Sequence, residues 1–185
     1  MEKPLYEMRS PLYKTGLEDL INYIDSRRPV NSLTMVEIGS YAGESTEIFS
    51  KRFKQVVSID PFISGYDEKD PVNNYRELEQ VYEVFSNKIK QLSNVSHIRK
   101  TSDEAVNLLK GNKFDFVYID GLHTYTQVLE DIRNYLPLLV EDGFIGGHDY
   151  HPVWQGVIKA VEESIGTPDQ TFVDTSWIVQ LPLSN

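Results

Sequence analysis

The chain has no cysteine, which removes disulfides, thiolate-held metals and a thiol nucleophile from consideration. It is short of positive charge: 18 Lys and Arg stand against 28 Asp and Glu, a formal net charge of −10. Nucleic-acid affinity rests on Lys and Arg neutralising phosphates, so this balance argues against tRNA, rRNA or DNA as a partner and against an anionic membrane surface. No apolar run approaches membrane-spanning length, and the opening stretch from Met1 to Ser10 lacks the apolar centre of a secretory signal. A soluble cytoplasmic protein is the expectation. Repeats, low-complexity tracts and an interdomain linker are also missing. A chain of 185 residues then reads as one domain, 1–185, with a helical cap over 1–32, a core over 33–150 and a closing helix and hairpin over 151–185.

What is present is an alternation of short β-rich apolar runs with longer stretches whose apolar residues recur every three to four positions. That pattern specifies an α/β fold, a doubly wound and mostly parallel sheet with helices on both faces. The strands are expected at Leu33 to Ile38, Gln55 to Ile59, Val95 to Ile98, Phe114 to Ile119 and Gly143 to Gly147. The strongest helix is Thr124 to Val140, closing before a turn at Glu141-Asp142-Gly143. Others are expected from about Asn74 to Leu92 and at Leu17 to Ile24, Glu44 to Phe53, Ser102 to Leu109 and Gln155 to Ile165. Thr171 to Asp174 and Trp177 to Leu181, separated by a small polar turn, read as an antiparallel hairpin that brings the sheet to seven strands. The long irregular stretch from Pro61 to Asn73 leaves the carboxyl end of the second strand, where it is either a substrate lid or a solvated connection.

Ligands of doubly wound sheets bind outside the carboxyl ends of the strands, where strand order reverses. The first strand runs into Gly39-Ser40-Tyr41-Ala42-Gly43 and then a helix; Gly39 lets backbone approach a ligand, and Gly43 permits tight entry to the helix. The spacing is Gly-x-x-x-Gly rather than Gly-x-Gly-x-x-Gly, which disfavours a nicotinamide dinucleotide. The second strand ends in Asp60, an acid suited to ribose hydroxyls. After the third strand, Ser102 is expected to cap the next helix and is compatible with an adenine contact, with Asp103 beside it.

The ordered set Glu37-x-Gly39-x-Tyr41-x-Gly43-x-Ser45, Asp60, Ser102-Asp103 and Asp120 resembles the class I S-adenosylmethionine-dependent methyltransferases. It is closest to the small catechol O-methyltransferase-like and macrocin O-methyltransferase-like groups, over roughly residues 33 to 150. The resemblance implies a Rossmann-like sheet whose terminal hairpin separates it from the dehydrogenase topology. It also implies that Glu37, Gly39, Ser40, Tyr41, Gly43 and Ser45 hold the methionine end of S-adenosylmethionine, Asp60 the ribose, and Ser102 with Asp103 the adenine. Tyr41 and Tyr125 otherwise read as packing residues.

The fourth strand delivers Asp120 and His123 to the same rim, and the fifth delivers His148, Asp149 and His151. Beside a helix N-terminus His123 is expected to be neutral, as a general base must be, while the structural alternative makes Asp120 only a helix cap. Metal-dependent members of the resembling groups hold a divalent ion at the positions of Asp120 and Asp149. With His148 in the set, manganese, iron or zinc suits it better than magnesium, which prefers oxygen ligands. Asp131, further along the helix, reads as an acid behind the site or on the surface. The expected reaction is methyl transfer from S-adenosylmethionine to a hydroxyl of a small molecule, with His123 and Asp120 catalytic. The alternatives are a nucleoside-binding module of the same fold and a fold member recruited to other, hydroxylase-like chemistry. The N-terminal segment to about Arg28 and the Pro61 to Asn73 loop are expected to shape the acceptor pocket. Oligomeric state is not legible, which leaves a homodimer open.

Overall fold

The computed structural model describes residues 11–63 and 78–182. In chain order the elements are α1 (Pro11–Asp25), β1 (Thr34–Ile38), α2 (Glu44–Ser50), β2 (Gln55–Ile59), α3 (Leu78–Ile89), β3 (Val95–Ile98), α4 (Ser102–Leu108), β4 (Phe114–Ile119), α5 (Tyr125–Tyr135), β5 (Leu139–Gly147), α6 (Gln155–Ile165), β6 (Gln170–Thr171) and β7 (Trp177–Gln180). They form one seven-stranded sheet in the order β3-β2-β1-β4-β5-β7-β6, parallel from β3 to β5 and antiparallel at the β6–β7 hairpin. The doubly wound sheet with a terminal hairpin is therefore present. The connection leaving β1 runs toward β2 and the one leaving its neighbour β4 runs the other way toward β5, so their loops part and open a crevice above the carboxyl ends of both strands.

Strand periodicity divides the core. Val36, Ile38, Val117, Ile119 and Ile145 face α5 and α6, meeting Val128, Ile132, Val157 and Val161. On the opposite face Met35, Val56, Phe116, Tyr118 and Phe144 meet Leu17, Leu20, Ile21 and Ile24 of α1 and Phe49 of α2. Burying one such Leu, Ile or Phe contributes roughly 1.5–3 kcal/mol. The sheet is thus fixed on both sides, which makes its carboxyl edge a stable platform. A third cluster seats Val81 and Phe85 of α3 against Ala42 and Phe62, beside the loop after β1.

Boundaries depart from the sequence expectation where local chemistry overrides periodicity. α1 starts at Pro11 rather than Leu17, because residues 11–15 are exposed and carry no apolar stripe to reveal them. α2 ends at Ser50 and tightens through Lys51 N–H to Ile48 O and Arg52 N–H to Phe49 O, short of Phe53. α5 stops at Tyr135 and passes into a 3₁₀ turn over Leu136–Leu138, since Pro137 has no N–H to continue the ladder. Glu141-Asp142-Gly143 is not a turn that precedes a strand but lies within β5. There the pairing jumps from Phe114↔Leu139 to Phe116↔Phe144, and Asp142 takes φ +59° to absorb the extra residues. The first hairpin strand is only Gln170–Thr171, because Phe172 to Ser176 form the turn, with Phe172 N–H bonded to Ser176 O. The segment from Asn74 to Glu77 expected at the start of α3, and Ser64 to Asn73 of the irregular stretch, lie outside the described residues.

Candidate functional site

The loop after β1 is held by carboxylates on two sides. Asp60, at the end of β2, accepts from the backbone N–H of Ser40 (3.0 Å) and Tyr41 (2.9 Å) through Oδ2 and from Phe62 N–H (2.8 Å) through Oδ1. Burial raises its pKa, and these three donors work against that rise. Glu37, fully buried in β1, accepts from Ser45 Oγ and Thr46 Oγ1, each at 2.5 Å, and burial pushes its pKa up to about 7. Glu37 and Ser45 thereby tie β1 to the first turn of α2. Gly39 has φ +84°, and a Cβ there would lie 1.9 Å from the Asp120 carbonyl oxygen. Only glycine allows that approach, which presses the loop after β1 against the end of β4. Tyr41 bends back at φ +43°, and Gly43 caps α2 at φ +77°. Ser40 Oγ is buried and has no hydrogen-bond partner among the described residues. A buried orphan hydroxyl in a loop of left-handed backbone fits a polar ligand seated on this loop.

Past β3 the cap of α4 is Thr101, whose hydroxyl accepts from Glu104 N–H, and not Ser102 as its position suggested. Thr101 has the extended backbone that a cap requires (φ −62°, ψ 158°), which leaves Ser102 as the first helical residue. Ser102 is buried and joins α5 through Gln127 Nε2 to its Oγ (3.2 Å) and Tyr135 OH to its carbonyl (2.8 Å). Asp103 is exposed and accepts from Gln127 (3.4 Å) and Asn134 (3.3 Å). Asp131 is not on the surface: it is 1 % exposed, with a pKa raised by burial to about 7.

Across Gly39 the ends of β4 and β5 bring together a charged cluster. His123 Nε2 is 2.8 Å from Asp149 Oδ2 and 3.9 Å from Asp120 Oδ1. His148 Nδ1 lies 3.2 Å from Asp149 and 3.9 Å from Asp120, and its Nε2 is 3.9 Å from Asp174. Asp149 is positioned by an unusual backbone, φ +61°. Burial opposes a charged imidazole at His123, but Asp120 and Asp149 together outweigh it and raise its pKa to about 11. The same opposition at His148, resolved by Asp120, Asp149 and Asp174, ends at about 9. Burial also opposes charge at Asp149, and bonds from the two histidines overturn it and hold the carboxyl well below its ordinary range. The expectation of a neutral His123 is therefore corrected: two nearby carboxylates outweigh the helix terminus. Ligand atoms of Asp120, His123 and Asp149 all lie within 4.8 Å of one another, so the three side chains can close around a proton or a divalent cation. In that set His123 takes the place expected of His148, which stands behind Asp149. His151 instead caps the 3₁₀ turn Pro152–Trp154 through Nδ1.

Taken together, one end of the crevice offers backbone and hydroxyl groups suited to a nucleoside with an amino-acid tail, and the other a carboxylate and imidazole cluster. A family model described as a methyltransferase domain matches residues 36–150, which span the whole of this edge from β1 to the end of β5. The chain belongs to this methyltransferase family. A curated relative, an uncharacterized protein from Acanthamoeba polyphaga mimivirus, is 31% identical over 141 residues, covering 72% of this chain and 57% of the relative. The chain thus spans little more than half of that protein's length. Among solved structures, the N-methyltransferase NodS from Bradyrhizobium japonicum, bound to S-adenosyl-L-homocysteine, superposes with TM-score 0.66 at 17% identity, over 98% of this chain and 93% of NodS. The O-methyltransferase NovP gives 0.64 at 16% identity, over 92% and 78%. An rRNA methylase from Streptococcus thermophilus gives 0.60 at 14%, over 97% and 100%. Such distant likenesses establish the class I methyltransferase fold, and they span N-, O- and RNA methylation.

Several residues at the acidic end of the crevice in this methyltransferase domain are not evident from the sequence. The ring of Trp154 lies over His123 at 4.5 Å, and Tyr13 of α1 meets His148 edge-on at 5.7 Å. Asp174, 3 % exposed in the hairpin turn, accepts from Ser176 Oγ (2.7 Å). Trp177, fully buried, lines a small cavity with Asp120, His123 and His148, and its indole N–H has no partner among the described residues. One signal was available: Gly16 sits inside a helix, where glycine costs about 1 kcal/mol relative to alanine. A Cβ there would lie 2.0 Å from Asp174 Oδ1, so the glycine marks the close seating of α1 on this end of the site.

Proposed function

We propose that this methyltransferase domain carries a methyl group from S-adenosylmethionine to a hydroxyl of a small, uncharged or cationic molecule. The observation that carries the reading is the contact of Gly39 with the Asp120 carbonyl, which fixes the donor loop directly against the acidic cluster. S-adenosylmethionine supplies an electrophilic methyl on a sulfonium: the sulfur–carbon bond breaks as the oxygen–carbon bond forms, and the hydroxyl proton must be taken up. Asp60, Ser40 and the turn at Ser102 and Asp103 orient the nucleoside, and Glu37 and Ser45 hold the turn beneath the amino-acid tail. Asp120, whose side chain is 31% exposed, is the carboxylate that opens to the crevice and receives the proton. His123 enters charged, fixed by Asp149 and covered by Trp154. It positions Asp120 and does not act as the base. Where a divalent cation replaces that proton, Asp120, His123 and Asp149 hold it and it lowers the pKa of the acceptor hydroxyl; the mixed nitrogen and oxygen donors favour manganese, iron or zinc over magnesium. Alignment of donor and acceptor supplies most of the acceleration. Oxygen as the acceptor atom is supported by the likeness to NovP and by this cluster. A net charge of −10 favours acceptors without phosphate.

Titration calorimetry with S-adenosylmethionine and S-adenosylhomocysteine tests the reading. Both are expected to bind, and Asp60→Ala to weaken them about 100-fold while the far-ultraviolet circular dichroism stays native, as three backbone donors lose their acceptor. Unchanged affinity in that variant defeats the site. Tight binding without turnover on a panel of hydroxylated acceptors, with and without added manganese or zinc, defeats methyl transfer and leaves a nucleoside-binding module.

A further inference from the structure

Helix α5 grips the first turn of α4 at several points that none of the proposed contacts requires. Gln127 Nε2 bonds Ser102 Oγ (3.2 Å), Asp103 Oδ2 (3.4 Å) and Asp131 Oδ1 (3.1 Å). Asn134 Nδ2 bonds the other oxygen of Asp103 (3.3 Å), and Tyr135 OH bonds the carbonyl of Ser102 (2.8 Å). Asp131 lies at the centre, 1 % exposed, and receives a hydrogen bond from Gln127 Nε2. A carboxylate buried in a helix is costly unless its acceptors are used, and here its donor, Gln127 of α5, also reaches Ser102 and Asp103 of the turn that would meet the base. The Ser102 hydroxyl accepts from Gln127. The two N–H groups of the Gln127 amide are shared among three acceptors, and the Asp103 carboxylate is held from both of its oxygens.

We propose that Asp131 is a positioning residue for base recognition: through Gln127 it fixes the Asp103 carboxylate where it selects a 6-amino purine over a 6-oxo purine. This rests on the S-adenosylmethionine reading. A carboxylate accepts from the exocyclic amine of adenine, whereas the carbonyl of hypoxanthine at that place sets two oxygens against each other. Selection is sharp only if the carboxylate cannot swing away, and the grip of α5 prevents that.

The test is calorimetry on the full chain with S-adenosylhomocysteine and its 6-oxo analogue S-inosylhomocysteine. Wild type is expected to prefer the adenine form strongly. Asp131→Ala is expected to weaken S-adenosylhomocysteine about 10-fold while changing the 6-oxo analogue by no more than about 2-fold, so that the preference collapses. Asp131→Asn, which keeps an acceptor oxygen, is expected to restore affinity to within about 3-fold of wild type. If Asp131→Ala does not fold, Gln127→Leu on the partly exposed side of the grip carries the same comparison, with a smaller loss of preference expected. The proposal is overturned if the substituted protein keeps the wild-type preference, whether affinity is unchanged or both ligands weaken equally. Failure of wild type to bind either ligand strikes the S-adenosylmethionine reading itself.

Discussion

The two halves of the crevice are built on different principles. At the donor half, carboxylates answer to backbone: Asp60 takes three main-chain N–H groups, Glu37 takes the hydroxyls of the first turn of α2, and Gly39 and Tyr41 supply the dihedral angles. At the acceptor half, side chains answer to one another: Asp120, His123, His148, Asp149 and Asp174 form a net of partly buried charges. The donor half constrains shape and tolerates little change. The acceptor half constrains charge. That division suits an enzyme family in which one donor is matched to many acceptors.

The comparison breaks most sharply at Gly39. Gly39→Ala puts a Cβ against the Asp120 carbonyl at a dihedral that L-residues avoid, and is expected to cost about 3 kcal/mol or more of stability in urea unfolding. A loss below about 1 kcal/mol would show that the two loops are not in tight register.

A smaller effect separates the halves by pH. The folded pKa of Glu37, about 7, exceeds its ordinary value of 4.5, so between these values the folded chain retains a proton that the unfolded chain has released. Stability therefore falls as pH rises through that window and levels above it. Glu37→Gln is expected to remove on the order of 2 kcal/mol of this fall, measured as urea midpoints between pH 4.5 and 8, with Asp131 responsible for part of the remainder. A wild-type profile that is flat over this range would place Glu37 in a wetter environment than the fold describes.

The smallest expected effect is a null on one side. Asp149→Ala removes the partner shared by His123 and His148 and is expected to abolish binding of zinc or manganese, while the affinity for S-adenosylhomocysteine changes by less than about 2-fold. A large loss of nucleoside affinity would show that the halves are coupled and would erase the distinction between them.

This division also explains what the sequence made legible. The strands β1 to β4, the order of the motifs and the carboxylate at the end of β2 were readable because backbone geometry restricts which residues can occupy those places: glycine where φ is positive, an acceptor where N–H groups converge. The acceptor half was read only by inventory. Asp120, His123, His148 and Asp149 are legible as candidates, but pairing depends on rotamers and on elements distant in the chain, so the expected protonation of His123 is wrong. Asp174 and Tyr13 were invisible for the same reason, since they reach His148 from the hairpin turn and from α1. The boundary errors share one origin: Pro137, the irregular pairing at Asp142 and the exposed start of α1 are local chemistry that a hydrophobic period does not register.

The close seating of α1 on the hairpin turn, through Gly16 on Asp174, bears on how the specificity of this chain could be altered. Tyr13 lies three residues before that contact and Trp154 far from it in sequence, yet both flank the histidines. An experimenter who seeks a new acceptor would leave position 16 alone as the hinge pin of the cap and vary 13 and 154, the two aromatic jambs of a doorway whose frame does not move.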